Sequence, residues 1–357
     1  MEIEFAHTPF NWSNLASKKA GVTVVIVGLG GGKSVKRLFD GTEQRNVSVI
    51  GPYLAPGSTA IVSKTMVPIG DQSKMLRGNM PTDGGNFLME RDEAFELVTN
   101  GSVPEGFFRP FMGASEVVNA KSRYCLWIED SKLDESLNYP VIRERIERVK
   151  QVRLNSTAPT TRATKVPPHK FMQIEGCARR YSIAIPAITS ENREYLPAAL
   201  LDWRAILSNK CYVLYDAPLW NFALIASKMH QVWIGTVCAR MRSDFSYSNT
   251  LGWNTFPISQ LTDKNKADLT RCAEDILLAR EAHFPSTIAD LYEVKDGVSK
   301  MPANLKEAHD RNDEVLERIY IGRRFRNDTE RLEKLFELYT KMTSKSTSNK
   351  SKVGATV

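Results

Sequence analysis

No run of 18 apolar residues occurs anywhere in the 357-residue chain, and its start, Met1-Glu-Ile-Glu4, has neither a basic head nor an apolar stretch. A membrane-spanning helix and a secretory leader are therefore not expected, and the sequence reads as cytoplasmic. Cysteine is scarce: there are five, at 125, 177, 211, 238 and 272, an odd number with no close pair. That pattern argues against a disulfide frame and a cysteine zinc site, and fits reduced thiols. The five histidines, at 7, 169, 230, 283 and 309, share no metal-ligand spacing, and neither Gly-x-Ser-x-Gly nor His-Glu-x-x-His is present. His230, on a mainly apolar stretch, reads as a packed and hydrogen-bonded core residue. The Asn/Asp-Pro-Pro-aromatic tetrapeptide that holds a flipped adenine amine in methyltransferases is missing too. No catalytic or metal-binding residue is assigned.

Basic charge is present, and it is unevenly placed. The chain carries a formal net charge of +7, while residues 258–340 hold 14 basic against 17 acidic side chains. Residues 142–180 alone contain seven Arg and three Lys against three Glu, an excess equal to that of the whole chain. A polyanion is one partner such a segment fits. A solvated basic helix face is the other reading.

The length predicts two or three domains and the pattern an α+β fold. Ile3–Phe10 alternates and Val22–Val27 is a β-branched run, with small polar Ser13–Lys19 between them, so two strands joined by a connection are expected. From Val47 to Trp127 short apolar segments broken by Gly, Pro and Asn predict an irregular, strand-rich region. Ile142, Ile146 and Val149 fall at helical spacing, which predicts a basic amphipathic helix of about three turns running into a Thr/Pro/basic loop, Asn155–Pro168. Strands are expected at Tyr181–Pro186, Leu207–Tyr215 and Asp244–Trp253, and one long helix at Asn221–Met241 with Phe222, Ile225, Met229, Trp233 and Val237 facing the core. After Pro257 three helices are expected, with Thr262, Pro302 and Asp328 at their starts, and the last fifteen residues read as disordered.

The run Val27-Gly-Leu-Gly-Gly-Gly-Lys33-Ser34 invites a nucleotide-binding assignment. It fails as a P-loop because Val27 stands where the first glycine belongs, and as a dinucleotide fingerprint because Lys33 stands where the third does. A glycine turn holding an adenosyl cofactor and an ordinary hairpin exit both remain open.

Several segments, in order along residues 1–340, carry a more specific signal. They are Phe5-Ala-His-Thr-Pro-Phe-Asn-Trp12, Ala20-Gly-Val-Thr-Val-Val-Ile-Val-Gly28, Gly78-Asn-Met-Pro-Thr-Asp-Gly-Gly-Asn86, Arg109-Pro-Phe-Met-Gly-Ala114, Tyr124-Cys-Leu-Trp127, Ser190-Glu-Asn-Arg-Glu-Tyr-Leu-Pro197, Arg242-Ser-Asp-Phe-Ser-Tyr-Ser248 and Phe284-Pro-Ser-Thr-Ile-Ala-Asp-Leu-Tyr292. Together they resemble the C-terminal part of MmeI-like enzymes, type IIG/IIL restriction-modification proteins that are also DNA adenine methyltransferases.

The resemblance implies a division into 1–45, the last hairpin of a methyltransferase sheet; 46–257, a DNA target-recognition domain; 258–342, a helical unit packed on it; and 343–357, a disordered tail. It implies double-stranded DNA as ligand and a separate methyltransferase catalytic subunit as partner. S-adenosylmethionine would bind in the complete enzyme and not in this chain. The competing readings are an autonomous methyltransferase with a degenerate cofactor loop at Gly28–Gly32, and a protein-interaction remnant without DNA binding.

By the same resemblance Arg242 and Asp244 read one G·C pair, with Ser246, Asn209 and Lys210 on neighbouring positions. The chemistry agrees, since Arg donates two hydrogen bonds to guanine and Asp accepts from the cytosine amine. The rival for Arg242 and Asp244 is a surface ion pair. Phe10 and Trp12 would border the pocket of an extruded adenine, or else pack a hairpin core. Arg143, Arg148, Lys150, Arg153, Arg162, Lys165, Arg179 and Arg180 are the expected phosphate contacts.

Overall fold

The computed structural model describes residues 1–12, 22–32, 34–242, 244–258 and 260–353; the connection expected at Ser13–Lys19 lies outside them. The fold is α+β, with several small sheets and a helical C-terminal part.

Glu2–Trp12 and Val22–Gly30 pair antiparallel. Lys36–Asp40 then runs parallel to the first strand on its other side and turns back into Glu43–Val47, giving a four-stranded sheet. This second hairpin has a weak sequence signal because Leu38 is its one fully buried apolar residue, packed with Ala6 and Ile50. Val22–Gly30 is an edge strand, yet Val25, Ile26, Val27 and Leu29 are all exposed, so apolar side chains project from both of its faces. A strand of that kind normally lies inside a sheet covered on both sides.

The middle of the chain builds two four-stranded sheets. One orders Ala199–Asp202, Tyr181–Pro186, Cys211–Tyr215 and Leu76–Arg77, all antiparallel. The other orders Ile206–Leu207, Phe108–Met112, Arg123–Leu126 and Leu88–Glu90. The strand expected at Leu207–Tyr215 is thus interrupted: Ser208–Lys210 forms a turn that carries the chain from one sheet to the other. Helix Pro140–Leu154 buries Ile142, Ile146 and Val149 against Phe87, Phe107 and Phe171, as its spacing predicts.

Two more expectations, both between residues 221 and 253, need correction. Asn221–Met241 is not one helix but two, Trp220–Ile225 and Lys228–Val237, followed by strand Ala239–Met241. The break comes at Ser227, whose hydroxyl accepts the His230 N–H and starts a new helix. The expected strand Asp244–Trp253 stops at Ser246, and Asn249–Trp253 is a single π-helical turn. The stripe itself is placed as expected, with Phe222, Ile225, Met229, Trp233 and Val237 all buried.

Beyond Pro257, Thr262 caps helix Asp263–Glu281 in a reciprocal bond with Asn265. Ala303–Ile321 follows Pro302, and the last helix begins at Asp328. That helix continues to Val353, taking in most of the stretch expected to lack structure; Gly354 is the first helix-breaking residue there, and residues 354–357 lie outside those described. The helices share one core with the preceding region, where Trp233 meets Phe336 and Tyr339. Polar bonds run across the same junction. Asp313 accepts from the Tyr195 hydroxyl at 2.8 Å and from the Lys228 N–H at 2.7 Å, and His309 donates from Nδ1 to the Ala226 carbonyl.

Candidate nucleic-acid interface

A three-stranded sheet orders Ile188–Thr189, Asp244–Ser246 and Ala239–Met241, and its hairpin turns at Arg242. Arg242 therefore sits at a hairpin tip and not at the end of a long helix. Its φ of 60° places a non-glycine residue in the left-handed region, a conformation costing on the order of 1 kcal/mol that tight hairpin turns require. Arg242 is exposed, and among the described residues no ion pair joins it to Asp244, so the rival surface pair is not formed. Asp244 instead faces Arg193, whose pKa burial lowers and the Asp244 charge raises; Arg193 Nη1 also donates to Thr189 Oγ1 at 3.4 Å. Arg240, on the same hairpin, pairs with Glu191 at 2.6 Å and stacks over Phe245. Glu191 and Arg193 thus brace the hairpin from the Ser190–Pro197 segment. Sequence reasoning assigned them no role, although they lie within one of the matching motifs.

Asn209 and Lys210 occupy the turn between the two large sheets. Ala187 joins this turn to the hairpin: its N–H donates to the Lys210 carbonyl at 2.9 Å and its carbonyl accepts from Tyr247 N–H at 2.9 Å. Behind the hairpin strand the Tyr247 hydroxyl bonds His230 Nε2 at 2.9 Å. His230 is fully buried, its pKa pushed down to about 3 by burial, and its Nδ1 has no partner among the described residues. A packed and hydrogen-bonded core histidine is what the sequence predicts at this position. Through Ala187 the structure sets the turn bearing Asn209 and Lys210 beside the Ser246 end of the hairpin, with Asp244 two residues further along the strand and Arg242 at the tip. Among the described residues the side chains of Asn209, Lys210 and Arg242 make no hydrogen bond, which leaves their donors and acceptors open.

The basic segment behaves differently. Arg153 is 3% exposed and donates to the carbonyls of Pro81, Thr82, Val166, Pro167 and Lys170. It ties the helix to two loops and cannot contact a phosphate, so its assignment as one is corrected: the helical period turns residue 153 inward with Ile146 and Val149. Arg148 pairs with Glu144 at 2.6 Å and Lys150 with Glu147 at 3.4 Å, while Arg145 and Lys170 pair with Glu93 and Asp130 from outside the segment. Arg143 and Arg162 are exposed and donate to local carbonyls; Lys165, Arg179 and Arg180 are exposed as well. Arg179 and Arg180 stand at the start of strand Tyr181–Pro186, and the turn at 208–210 adjoins its other end, about 17 Å away at the usual strand rise.

Phe10 and Trp12 lie on the strand central to the first sheet, ring centroids 6.3 Å apart, with Trp12 half exposed. The glycine run offers no cofactor cradle among the described residues. Gly28 and Gly30 are inside the second strand, and a Cβ at Gly28 would stand 2.0 Å from the Phe5 ring. The chain continues into another strand where a phosphate-binding turn would need a helix N-terminus. The autonomous-methyltransferase reading is therefore not favoured. Among the described residues no helix is long and apolar enough to cross a membrane.

Comparison with known proteins matches this layout. The family described as "MmeI, target recognition domain" matches residues 56–260, "MmeI, C-terminal domain" matches 261–346, and "MmeI, DNA-methyltransferase domain" matches 1–40. "DNA methyltransferase A" of Bacillus subtilis (strain 168) is 38% identical over 347 residues, 97% of this chain and 39% of that protein. The solved structure of the type IIL restriction-modification enzyme MmeI in complex with DNA superposes with a TM-score of 0.82 at 35% identity, covering 96% of this chain and 46% of that one. The chain thus spans less than half the length of the relatives it matches. With more than half of its residues matched by the target-recognition family alone, the chain belongs to the MmeI family.

Proposed function

We propose that this chain is the sequence-reading part of a site-specific DNA adenine methyltransferase of restriction-modification type, acting on double-stranded DNA in the cytoplasm. One observation carries the reading: the turn at 208–210 and the base of the hairpin at 239–246 meet at Ala187, and among the described residues the side chains of Asn209, Lys210 and Arg242 make no hydrogen bond. Arg242 is set to donate to guanine O6 and N7, and Asp244 to accept from the paired cytosine amine; Asn209, Lys210 and Ser246 face adjoining pairs. Arg143, Arg162, Lys165, Arg179 and Arg180 supply sequence-independent phosphate contacts. Residues 1–45 act as the last strands of a methyltransferase sheet, 46–257 as the recognition domain and 258–342 as its helical support.

A methyltransferase catalytic unit carrying S-adenosylmethionine would pair with the outer edge of Val22–Gly30. The apolar side chains on both faces of that edge strand support this docking. Phe10 and Trp12 would then border the pocket of the extruded adenine and hold it by stacking.

Selection of sites from a random duplex library tests the recognition reading, which predicts a defined sequence with one G·C position set by Arg242 and Asp244. Enrichment of no sequence would sink it. Calorimetry with S-adenosylmethionine is expected to show no binding by the isolated chain and binding once the catalytic unit is added. In that reconstituted enzyme Phe10→Ala is expected to slow methylation at unchanged stability, and a full rate would remove Phe10 from the pocket.

A further inference from the structure

The turn that carries Asn209 and Lys210 is built on a rigid platform. Gly78 N–H donates to the Cys211 carbonyl at 3.0 Å, Asn79 N–H to Leu207 at 2.7 Å, and Asn209 N–H to Asn79 at 2.9 Å. A Cβ at Gly78 would stand 2.1 Å from the Ser208 carbonyl oxygen, so glycine is what lets the two backbones approach this closely. Asn79 is itself fully buried, accepting from the Glu175 N–H and donating to the Gly176 carbonyl.

Two arginines flank this turn. Arg77, the residue before the platform, donates from Nε to the Asn209 carbonyl at 3.0 Å, and its guanidinium lies over the Tyr212 ring at 5.9 Å. Those contacts fix the plane of the guanidinium, and among the described residues no carboxylate pairs with its Nη groups. On the other side Ser208, Asn209 and Lys210 line one wall of a cleft of ≈ 470 Å³, and Arg123 lines the same cleft with Phe111 and Glu116. Arg123 is held by Glu116 at 3.2 Å and by the Phe111 face at 5.6 Å, and Glu116 also accepts the Gly113 N–H.

We infer that Arg77 grips the phosphodiester backbone of a DNA duplex beside this turn, setting the register at which Asn209 and Lys210 meet base edges. The inference rests on the recognition reading and names one of its phosphate contacts. A pre-oriented guanidinium suits this task, because its planar fork binds two phosphate oxygens at once and its immobilisation is complete before binding. Phosphate contacts of this kind position a protein on the duplex, and the neighbouring side chains specify the sequence.

The test uses the full chain and two duplexes, one carrying its selected site and one unrelated, titrated by fluorescence anisotropy from about 50 to about 200 mM salt. Arg77→Gln is expected to lower the slope of log K against log salt by about 1 on both duplexes, with the selected sequence unchanged. An unchanged slope at the parental unfolding midpoint would overturn the inference, as would a changed base preference at constant slope. A parental chain that binds neither duplex at any salt would sink the recognition reading itself, and this inference with it.

Discussion

The segment 142–180 and the edge formed by the 208–210 turn and the 239–246 hairpin differ in how their cations are used. The first holds ten basic residues, of which four pair with carboxylates and a fifth, Arg153, is buried among carbonyls. The second has far fewer, yet Lys210 and Arg242 are exposed without an ion pair among the described residues, and Arg77 is fixed beside the turn with its Nη groups open. Abundance of charge and readiness of charge are therefore separate properties. A cation one helical turn from a glutamate satisfies the local helix first, whereas one at a turn has no such neighbour.

The largest expected effect falls inside the abundant segment. Arg153→Met would take a donor from five carbonyls, of which Pro81 and Pro167 keep a backbone N–H, and is expected to cost about 3 kcal/mol or more in urea unfolding, while Arg148→Ala stays within about 0.5 kcal/mol. If Arg153→Met unfolds like the parent and loses DNA affinity instead, the contrast between the two regions is drawn the wrong way round.

Acid separates the regions next. Burial pushes His230, behind the reading hairpin, and His309, at the helical junction, down to about 3 each, and pushes Asp313 up to about 6. A depressed folded pKa gives stability that is complete above the unfolded value near 6.5 and is lost as pH falls toward 3, because only the unfolded chain takes up the proton. Asp313 acts in the opposite sense between about pH 6 and about 4, where the folded chain binds the proton first. Two groups outweigh one, so a net loss on the order of 3 kcal/mol is expected by about pH 4.5. Denaturant midpoints that stay flat across this window would count against the buried, neutral histidines.

At the reading edge, Arg242→Glu with Asp244→Arg is expected to invert the preferred base pair at one position, a change of about 1–3 kcal/mol in discrimination with overall affinity kept. Identical sites selected by both proteins would exclude the pair from readout. The smallest effect compares two double variants by salt titration. Arg143→Ala with Arg162→Ala should flatten the slope by about 2, and Arg148→Ala with Lys150→Ala, whose charges are already paired, should leave it nearly unchanged. Equal slopes in the two variants would erase the distinction between free and paired cations.

Much of the fold was legible where one physical signal dominated. Helix Pro140–Leu154 followed from three apolar residues at helical spacing, strand Tyr181–Pro186 from a continuous apolar run, and helix Asp263–Glu281 from its Thr262 cap. Failures came where two signals overlapped. The apolar period runs through Ala226–Ser227 without a gap, so a helix break set by one hydroxyl was hidden. Arg153 reads as one more basic residue until the helical wheel meets five inward carbonyls from distant loops. The candidate reading residues were visible only through the family resemblance, because nothing in their local spacing shows that Ala187 bridges residues 210 and 247.

The platform under the turn at 208–210 bears on how such a protein can diverge. Asn209 and Lys210 are held through main-chain atoms alone: Asn209 by its N–H and carbonyl, Lys210 by its N–H to Ser208 Oγ and its carbonyl to Ala187. Any side chain compatible with the turn can replace either one without taking a bond from the fold. If these two residues read bases as proposed, substitutions there would alter what is recognised and leave the scaffold's stability nearly constant, so new preferences could accumulate at these positions without compensating changes elsewhere.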